Sequence, residues 1–190
     1  VANEGATMAF ALTEAMAGSD VAAMDMKYTR EGDHYILNGT KIFITNGGDA
    51  EIYVVIANAQ PERGMRGITA FILEKGMEGF DQGKKLSKMG FHGWDTAELS
   101  FTDVFVPEEN LISGKEGMGF IQLMMNLPLE RLSIAVSAAA AGAAGFAAAG
   151  VGSAAPTGLR ASRSDAAMPR VMIFFMRDSS FGFRRFGRRQ

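Results

Sequence analysis

Cysteine is absent from the 190-residue chain and histidine is scarce. Without cysteine the protein has no disulfide framework and no thiolate chemistry, which is typical of a reducing compartment. The two histidines, His34 and His92, are too few and too far apart in sequence to suggest a metal site. The sequence therefore excludes disulfide-stapled domains and cysteine nucleophiles, and no bound metal is expected.

A secretory signal, with a charged segment followed by an apolar one, is also lacking at the start of the chain, so secretion is not expected. The chain begins only a few residues before a dense motif, and we expect an upstream region to be missing. The alanine- and glycine-rich run at 138–155 is too weakly apolar for a convincing membrane span.

Charge is divided unevenly along the chain. Residues 1–150 carry 11 Lys and Arg against 19 Asp and Glu, a net charge of −8. Residues 151–190 carry 8 Arg against 2 Asp, a net charge of +6, with no helical or strand period. We interpret this stretch as an atypical Arg-rich tail, either disordered or read from a shifted frame. It has no recognisable nucleic-acid-binding motif, so a nucleic-acid partner is not expected.

Short apolar or alternating runs separated by turn residues dominate the first hundred residues, which predicts a compact β sandwich or barrel. The turn dipeptide Asn38-Gly39 is predicted to separate two of these strands. After a short strand-like start at Phe10, the predicted strands are Val21–Arg30, His34–Leu37, Lys41–Thr45, Ile52–Ala57, Ile68–Glu74, Phe80–Leu86 and Thr96–Val106.

From Gly117 the apolar period becomes helical, so a β domain is followed by an α segment. A spacing of three and four predicts one buried helical face made of Ile121, Met124, Met125, Leu129 and Leu132. Pro128 is expected to kink this run or to start a new helix.

Glu130 then lies just past the helix break, beside Arg131 and among apolar residues. Desolvation in such a wall raises a carboxyl pKa towards that of a base able to remove a proton from carbon. The alternative is an ordinary Glu-Arg pair on a solvated helix face. Earlier in the chain, Gly18 and Ser19 form a small-residue turn whose backbone N–H groups are free to approach a phosphate, which by itself is a weak signal.

Four motifs carry a resemblance to a known family. They read LTEAMAGSD at residues 12–20, FITNGG at 43–48, GITAFILEKGMEGF at 67–80 and DTAELSFTDVFVPEENL at 95–111. In order and spacing the sequence resembles the acyl-CoA dehydrogenases over about residues 8–145. The resemblance implies a mainly β fold with C-terminal α structure. The family's middle β-barrel or orthogonal-sheet domain would occupy residues 1–112, and the first helices of its C-terminal helical domain residues 113–150.

The resemblance also implies an activity. A family member binds FAD and an acyl-CoA, removes the α proton and the β hydride to give the trans-2-enoyl-CoA, and passes electrons to an electron-transfer flavoprotein. Homotetramers or homodimers are implied, in the cytoplasm of a bacterium or the mitochondrial matrix of a eukaryote. An acyl-CoA oxidase and a noncatalytic β interaction module are the alternatives.

Site residues follow from the same resemblance. Thr13 would hydrogen-bond the flavin edge, the Gly18–Ser19 backbone and hydroxyl would meet the pyrophosphate or CoA, Phe43 would pack on the flavin and Thr45 would reach its N5 region. The full set implied for cofactor binding is Phe10, Ala11, Leu12, Thr13, Gly18, Ser19, Phe43, Ile44 and Thr45. The set implied for substrate binding is Ser19, Arg66, Pro128, Leu129 and Arg131.

The catalytic base implied by the resemblance is Glu130, because Leu129-Glu130-Arg131-Leu132 is similar to the setting used in the long-chain and isovaleryl branches. Two features depart from the family pattern. Ala15 stands where the family usually has proline, and the Arg-rich tail replaces the long helices of the C-terminal domain. We therefore expect a fragment with weak or absent FAD retention and little turnover.

Overall fold

The computed structural model describes residues 5–59 and 61–150, with only the backbone for residue 61 and residues 145–150. The Arg-rich tail at 151–190 lies outside the described residues. Contacts divide the chain into two compact units, the first ending at Gln122 and the second beginning at Leu123. Among the described helices, none combines the length and apolarity that a membrane crossing requires.

Strands dominate the first unit. They are β1 (Met8–Ala11), β2 (Lys27–Glu31), β3 (His34–Thr45), β4 (Ile52–Asn58), β5 (Ile68–Glu74), β6 (Phe80–Lys85) and β7 (Thr96–Pro107). They form one mixed sheet in the order β1-β4-β2-β3-β7-β6, with β5 paired to β4. In the described residues, 3-10 segments lie between strands at Val21–Ala23 and Pro61–Gly67, and another follows β7 at Glu108–Asn110. The expectation of a mainly β fold followed by α structure is confirmed.

Aromatic rings fill the core of the sheet. Tyr28, Tyr35 and Phe71 pack with ring centroids 5.0–5.6 Å apart in edge-on or tilted geometry. Phe80 is stacked on Phe101 and meets Tyr53 edge-on. The alternation predicted for β7 is confirmed, since the following side chains are buried: Ala97, Leu99, Phe101, Val104 and Val106. Period-two patterning therefore identified the inner face of this strand correctly.

β3 differs from its prediction, because Asn38-Gly39 does not end a strand. β3 runs from His34 through to Thr45, and a register shift against β7 occurs at Gly39 instead. Asn38 exchanges two 2.9 Å hydrogen bonds with Asp103 of β7, which has a left-handed φ of 51°. Gly39 has φ 148°, and a Cβ there would lie 2.8 Å from Met26 Cγ. The dipeptide thus lies in a continuous strand opposite a bulge in β7, where the extra residue is on the β7 side, and forms no hairpin turn.

Two other segments also differ from their predicted secondary structure. The predicted strand Val21–Arg30 is a 3-10 turn followed by β2, and the predicted polar loop before β5 contains the 3-10 segment Pro61–Gly67. β4 and β5 lie as predicted, apart from one added residue at the end of β4. Propensity located the apolar strands well and the polar connections less well, because the latter are set by tertiary hydrogen bonds.

Within the described part of the chain, one α-helix, α1 (Gly119–Gly150), follows the sheet. Of the two outcomes expected at Pro128, a new helix does not occur, since α1 runs through Pro128 without interruption. A kink at Pro128 stays a prediction. The prediction of a buried face is wrong for the described residues. All five side chains predicted to form it are 36–76% exposed: Ile121, Met124, Met125, Leu129 and Leu132. Periodicity identifies the face that is suited to burial but not whether a partner lies within the same chain.

Candidate functional site

Two segments predicted to bind the cofactor lie side by side in the first unit. The Ile42 N–H donates a 2.9 Å hydrogen bond to the Thr13 carbonyl, and Lys41 Nζ donates a 3.0 Å bond to the Leu12 carbonyl. Thr45 is three residues further along β3, so Thr13 and Thr45 are separated by roughly 10 Å along the strand. Segments more than two dozen residues apart in sequence are therefore brought to one location.

Phe43 occupies a strained bulge between these segments. On β3, Lys41 and Ile44 are three positions apart, whereas their partners on β7, Leu99 and Ala97, are two positions apart. The extra residue gives Phe43 a φ of 56°, a left-handed conformation that is costly for a bulky side chain. The bulge turns its ring outwards, and the side chain is 63% exposed. An exposed aromatic held in an unfavourable backbone is typical of a binding position.

The same two segments carry hydrogen-bonding groups that the described residues do not use. Between described residues, no hydrogen bond engages the hydroxyl of Thr13, Ser19 or Thr45, or the backbone N–H of Gly18 or Ser19. Gly18 is exposed and has no neighbouring atom within 4 Å of the position a Cβ would take. Hydroxyls suit the edge of a flavin ring, and adjacent N–H groups suit a pyrophosphate. The residues present therefore fit FAD.

Not every predicted cofactor residue can contact a ligand through its side chain. Ala11 and Ile44 are 0% and 2% exposed, so only their backbones are available. Phe10, Leu12 and Thr13 are partly buried. The exposed side chains of the set are those of Ser19, Phe43 and Thr45.

Glu14 and Lys41 form a buried ion pair that was not predicted. Lys41 Nζ lies 2.7 Å from Glu14 Oε1, and the two side chains are 0% and 7% exposed. The Glu14 carboxylate also accepts hydrogen bonds from the backbone N–H groups of Asp25 and Met26 at 2.6–3.3 Å. Burial lowers the pKa of Lys41, and the Glu14 carboxylate opposes that shift. The burial of Lys41 could have been predicted from the alternation along β3, because steps of two residues from Tyr35 place residue 41 on the inward face.

The turn after Thr45 is held by a second unpredicted residue, Asp95. Its carboxylate accepts a 2.6 Å hydrogen bond from the Gly48 N–H, and its carbonyl accepts a 3.0 Å bond from the Asn46 N–H. The hydroxyl of Tyr53 donates to the Gly47 carbonyl at 2.9 Å. These contacts fix the end of β3 and therefore the position of Thr45.

Arg66, predicted to bind CoA, lies apart from these segments in sequence. It is exposed in the 3-10 segment Pro61–Gly67, where it borders an open cavity of about 450 Å³ together with Glu62 and Arg63. Two guanidinium groups at one cavity suit a phosphate, which they can bind through paired hydrogen bonds.

The remaining predicted residues lie on α1 in the second unit. Glu130 is partly buried, whereas Pro128, Leu129 and Arg131 are exposed. Burial raises the pKa of Glu130, the direction expected for a carboxylate that acts as a base. Because α1 is continuous, Glu130 sits well inside the helix and does not occupy a first turn. Convergence of Glu130 with the residues of the first unit stays a prediction.

Comparison with known proteins identifies the family. The model of the acyl-CoA dehydrogenase middle domain matches residues 9–104, more than half of the chain. The chain belongs to the acyl-CoA dehydrogenase family. This confirms the resemblance read from the four motifs, all of which begin within the matched region.

Curated relatives with different names match equally well. The chain is 51% identical to the mitochondrial isovaleryl-CoA dehydrogenase of Arabidopsis thaliana over 127 residues, which is 67% of this chain and 31% of that protein. It is also 51% identical to the short-chain-specific acyl-CoA dehydrogenase of Megasphaera elsdenii over 131 residues, 68% of this chain and 34% of that protein. The chain thus spans about a third of the length of the relatives it matches.

Among solved structures, the butyryl-CoA dehydrogenase of Megasphaera elsdenii is similar with a TM-score of 0.68 and 41% sequence identity. The similarity covers 90% of this chain and 44% of that one. The fold of the sheet is therefore that of acyl-CoA dehydrogenases.

Proposed function

We propose that the chain supplies the flavin- and acyl-CoA-binding sheet, with one catalytic helix, of a FAD-dependent acyl-CoA dehydrogenase. The observation that carries the proposal is the adjacency of the Thr13 and Phe43–Thr45 segments around an outward-turned aromatic ring. The relatives named above share this segment although they act on different acyl groups, which suggests that the sheet provides chemistry common to the family. Acyl selectivity is then set elsewhere.

In the proposed mechanism Glu130 removes the α proton of the acyl-CoA. Its raised pKa makes it a stronger base than an ordinary surface glutamate. The chemistry that FAD would supply when bound is acceptance of the hydride from the β carbon, which would leave the trans-2 double bond. Thr13 and Thr45 would hold the flavin through hydrogen bonds, and Phe43 would pack on it. The electrons then pass to an electron-transfer flavoprotein.

Substrate binding is assigned to both units. Ser19 and Arg66 of the first unit are proposed to contact the CoA portion, for which a hydroxyl and a guanidinium suit phosphate oxygens. Pro128, Leu129 and Arg131 of the second unit are proposed to contact the acyl-CoA near Glu130. We also propose the family's homo-oligomeric assembly for the complete protein, in a bacterial cytoplasm or a mitochondrial matrix.

Flavin binding is tested on the chain itself by titrating FAD and following flavin fluorescence at equilibrium. We expect weak, saturable quenching of flavin fluorescence, and we expect the bound FAD to dissociate from the protein during gel filtration. Ser113→Ala, a substitution on an exposed turn outside the site, serves as the matched control for Ser19→Ala. Quenching that is absent at all FAD concentrations, or identical in parent and Ser19→Ala, contradicts the proposed site.

Chemistry is tested in a chimera, in which residues 8–144 replace the corresponding segment of the Arabidopsis thaliana isovaleryl-CoA dehydrogenase, so that Glu130 takes the place of the base implied for that branch. Under anaerobic conditions, isovaleryl-CoA should bleach the flavin of the chimera. The Glu130→Gln variant should bind isovaleryl-CoA yet leave the flavin oxidised, whereas Glu109→Gln, on a 3-10 turn, should behave like the parent. Bleaching by Glu130→Gln at the parent rate would exclude Glu130 as the base and favour a noncatalytic β module. Rapid peroxide formation in air would identify an oxidase.

A further inference from the structure

Resting on the proposed FAD site, we propose that Glu14 and Lys41 are positioning residues that hold the two cofactor segments in register. Neither side chain faces a ligand, because both are buried. Their contacts instead link three parts of the chain: the segment from Leu12, the residues preceding β2, and β3.

The contacts of Lys41 join the two cofactor segments directly. Its ammonium group donates to the Leu12 carbonyl and to Glu14, and the next residue, Ile42, donates its N–H to the Thr13 carbonyl. The bulge residue Phe43 follows immediately. The hydrogen bonds that set the distance between Thr13 and Phe43 are therefore made by Lys41, whose charged group is buried, and by its neighbour Ile42.

The contacts of Glu14 also restrain the segment that leads to Ser19. Glu14 and Ala17 exchange backbone hydrogen bonds of 3.0 and 3.3 Å, forming a closed turn that precedes Gly18 and Ser19. The carboxylate anchors this turn to the backbone of Asp25 and Met26. Proline would have stiffened the turn at residue 15, where this chain has alanine, so the buried carboxylate is the stronger restraint on its geometry.

Stability alone is a poor explanation for the pair. Removing two charges from water carries a large desolvation penalty, and replacing a buried ion pair by neutral groups of similar volume is often neutral or stabilising. Neutral groups would, however, lose the directional set of hydrogen bonds. A stabilising role and a positioning role of the pair therefore make opposite predictions for a chain in which both residues are substituted.

The test compares the parent with the Glu14→Gln/Lys41→Met double variant. We expect an unchanged urea midpoint but an FAD dissociation constant raised about tenfold, a difference of about 1.4 kcal/mol. The control is Arg30→Met/Glu108→Gln, which removes the exposed ion pairs of Arg30 with Glu108 and Glu116 in the same unit and should change neither value appreciably. An FAD dissociation constant within a factor of about two of the parent overturns the positioning role. Parent protein that does not quench flavin fluorescence at all overturns the FAD site and the positioning role with it.

A second measurement decides the matter if the double variant does not fold. In the folded parent, amide hydrogen exchange should be as slow at Ile42 and Met26 as in the central strands, and fast at Ser19. Single substitution Lys41→Arg, which keeps the charge, should preserve slow exchange at Ile42. Fast exchange at Ile42 in the folded parent would show that the segments are not held together, and the proposal would be wrong.

Discussion

A substitution at Phe43 can separate FAD binding from stability, because the backbone of Phe43 is strained and its side chain is 63% exposed. Replacing it by glycine removes the hidden third of the ring, a loss of about 1 kcal/mol, and adds the chain entropy of glycine, about 0.5–1 kcal/mol. Relief of the left-handed strain returns about 1–2 kcal/mol. The Phe43→Gly variant should therefore unfold within about 1 kcal/mol of the parent.

FAD binding should respond very differently to the same substitution. Stacking of an aromatic side chain on a planar heterocycle contributes about 1–3 kcal/mol, so affinity should fall roughly five- to a hundredfold. The assay is urea unfolding followed by the fluorescence of Trp94, the single tryptophan, alongside an FAD titration. The matched control is Phe105→Gly, an exposed aromatic on β7 with no left-handed strain, which should lose more stability and leave FAD binding unchanged.

Phe71 sets the scale for a structural aromatic. It is fully buried, and Phe71→Ala should cost about 3–5 kcal/mol. If Phe43→Gly were destabilised to that extent, or if its FAD affinity were unchanged, the reasoning about the bulge would be refuted. The ring would then be part of the core and not part of a cofactor site.

Further predictions concern backbone crowding and pH. Gly79→Ala should destabilise by more than about 3 kcal/mol, since its Cβ would lie 2.1 Å from the Thr102 carbonyl oxygen, whereas Gly76→Ala, also at positive φ but with open space, should cost about 1 kcal/mol; similar urea midpoints would contradict this. Burial raises the pKa of Tyr28 to about 12, so the unfolded chain loses this proton first and the free energy of unfolding should fall from pH ~10 to pH ~12. Tyr28→Phe should reduce that slope. Flavin bleaching by the chimera should accelerate with pH through a midpoint above the usual glutamate pKa, because Glu130 must be ionised to act; a rate independent of pH argues against this base.

The sequence by itself determined the family and the positions of most strands along the chain. Alternation fixed the inner face of β7, and continuous apolar runs located β4 and β5, because burial of one or both faces leaves a period that can be read locally. Thr13, Thr45 and Phe43 were also found from sequence, although only through resemblance to the family. Nothing local indicated that Phe43 would be turned outwards.

Tertiary structure decided the rest, for a physical reason common to each case. The bulge of β7 opposite Asn38-Gly39 and the bulge at Phe43 depend on the register between β3 and β7, and the Glu14–Lys41 pair depends on a turn meeting a strand 27 residues away. Such contacts are set by pairing across the sheet and leave little trace in local propensity. The apolar face of α1 is the converse case. Its period was plain in the sequence, but only coordinates could show that the described residues leave it exposed.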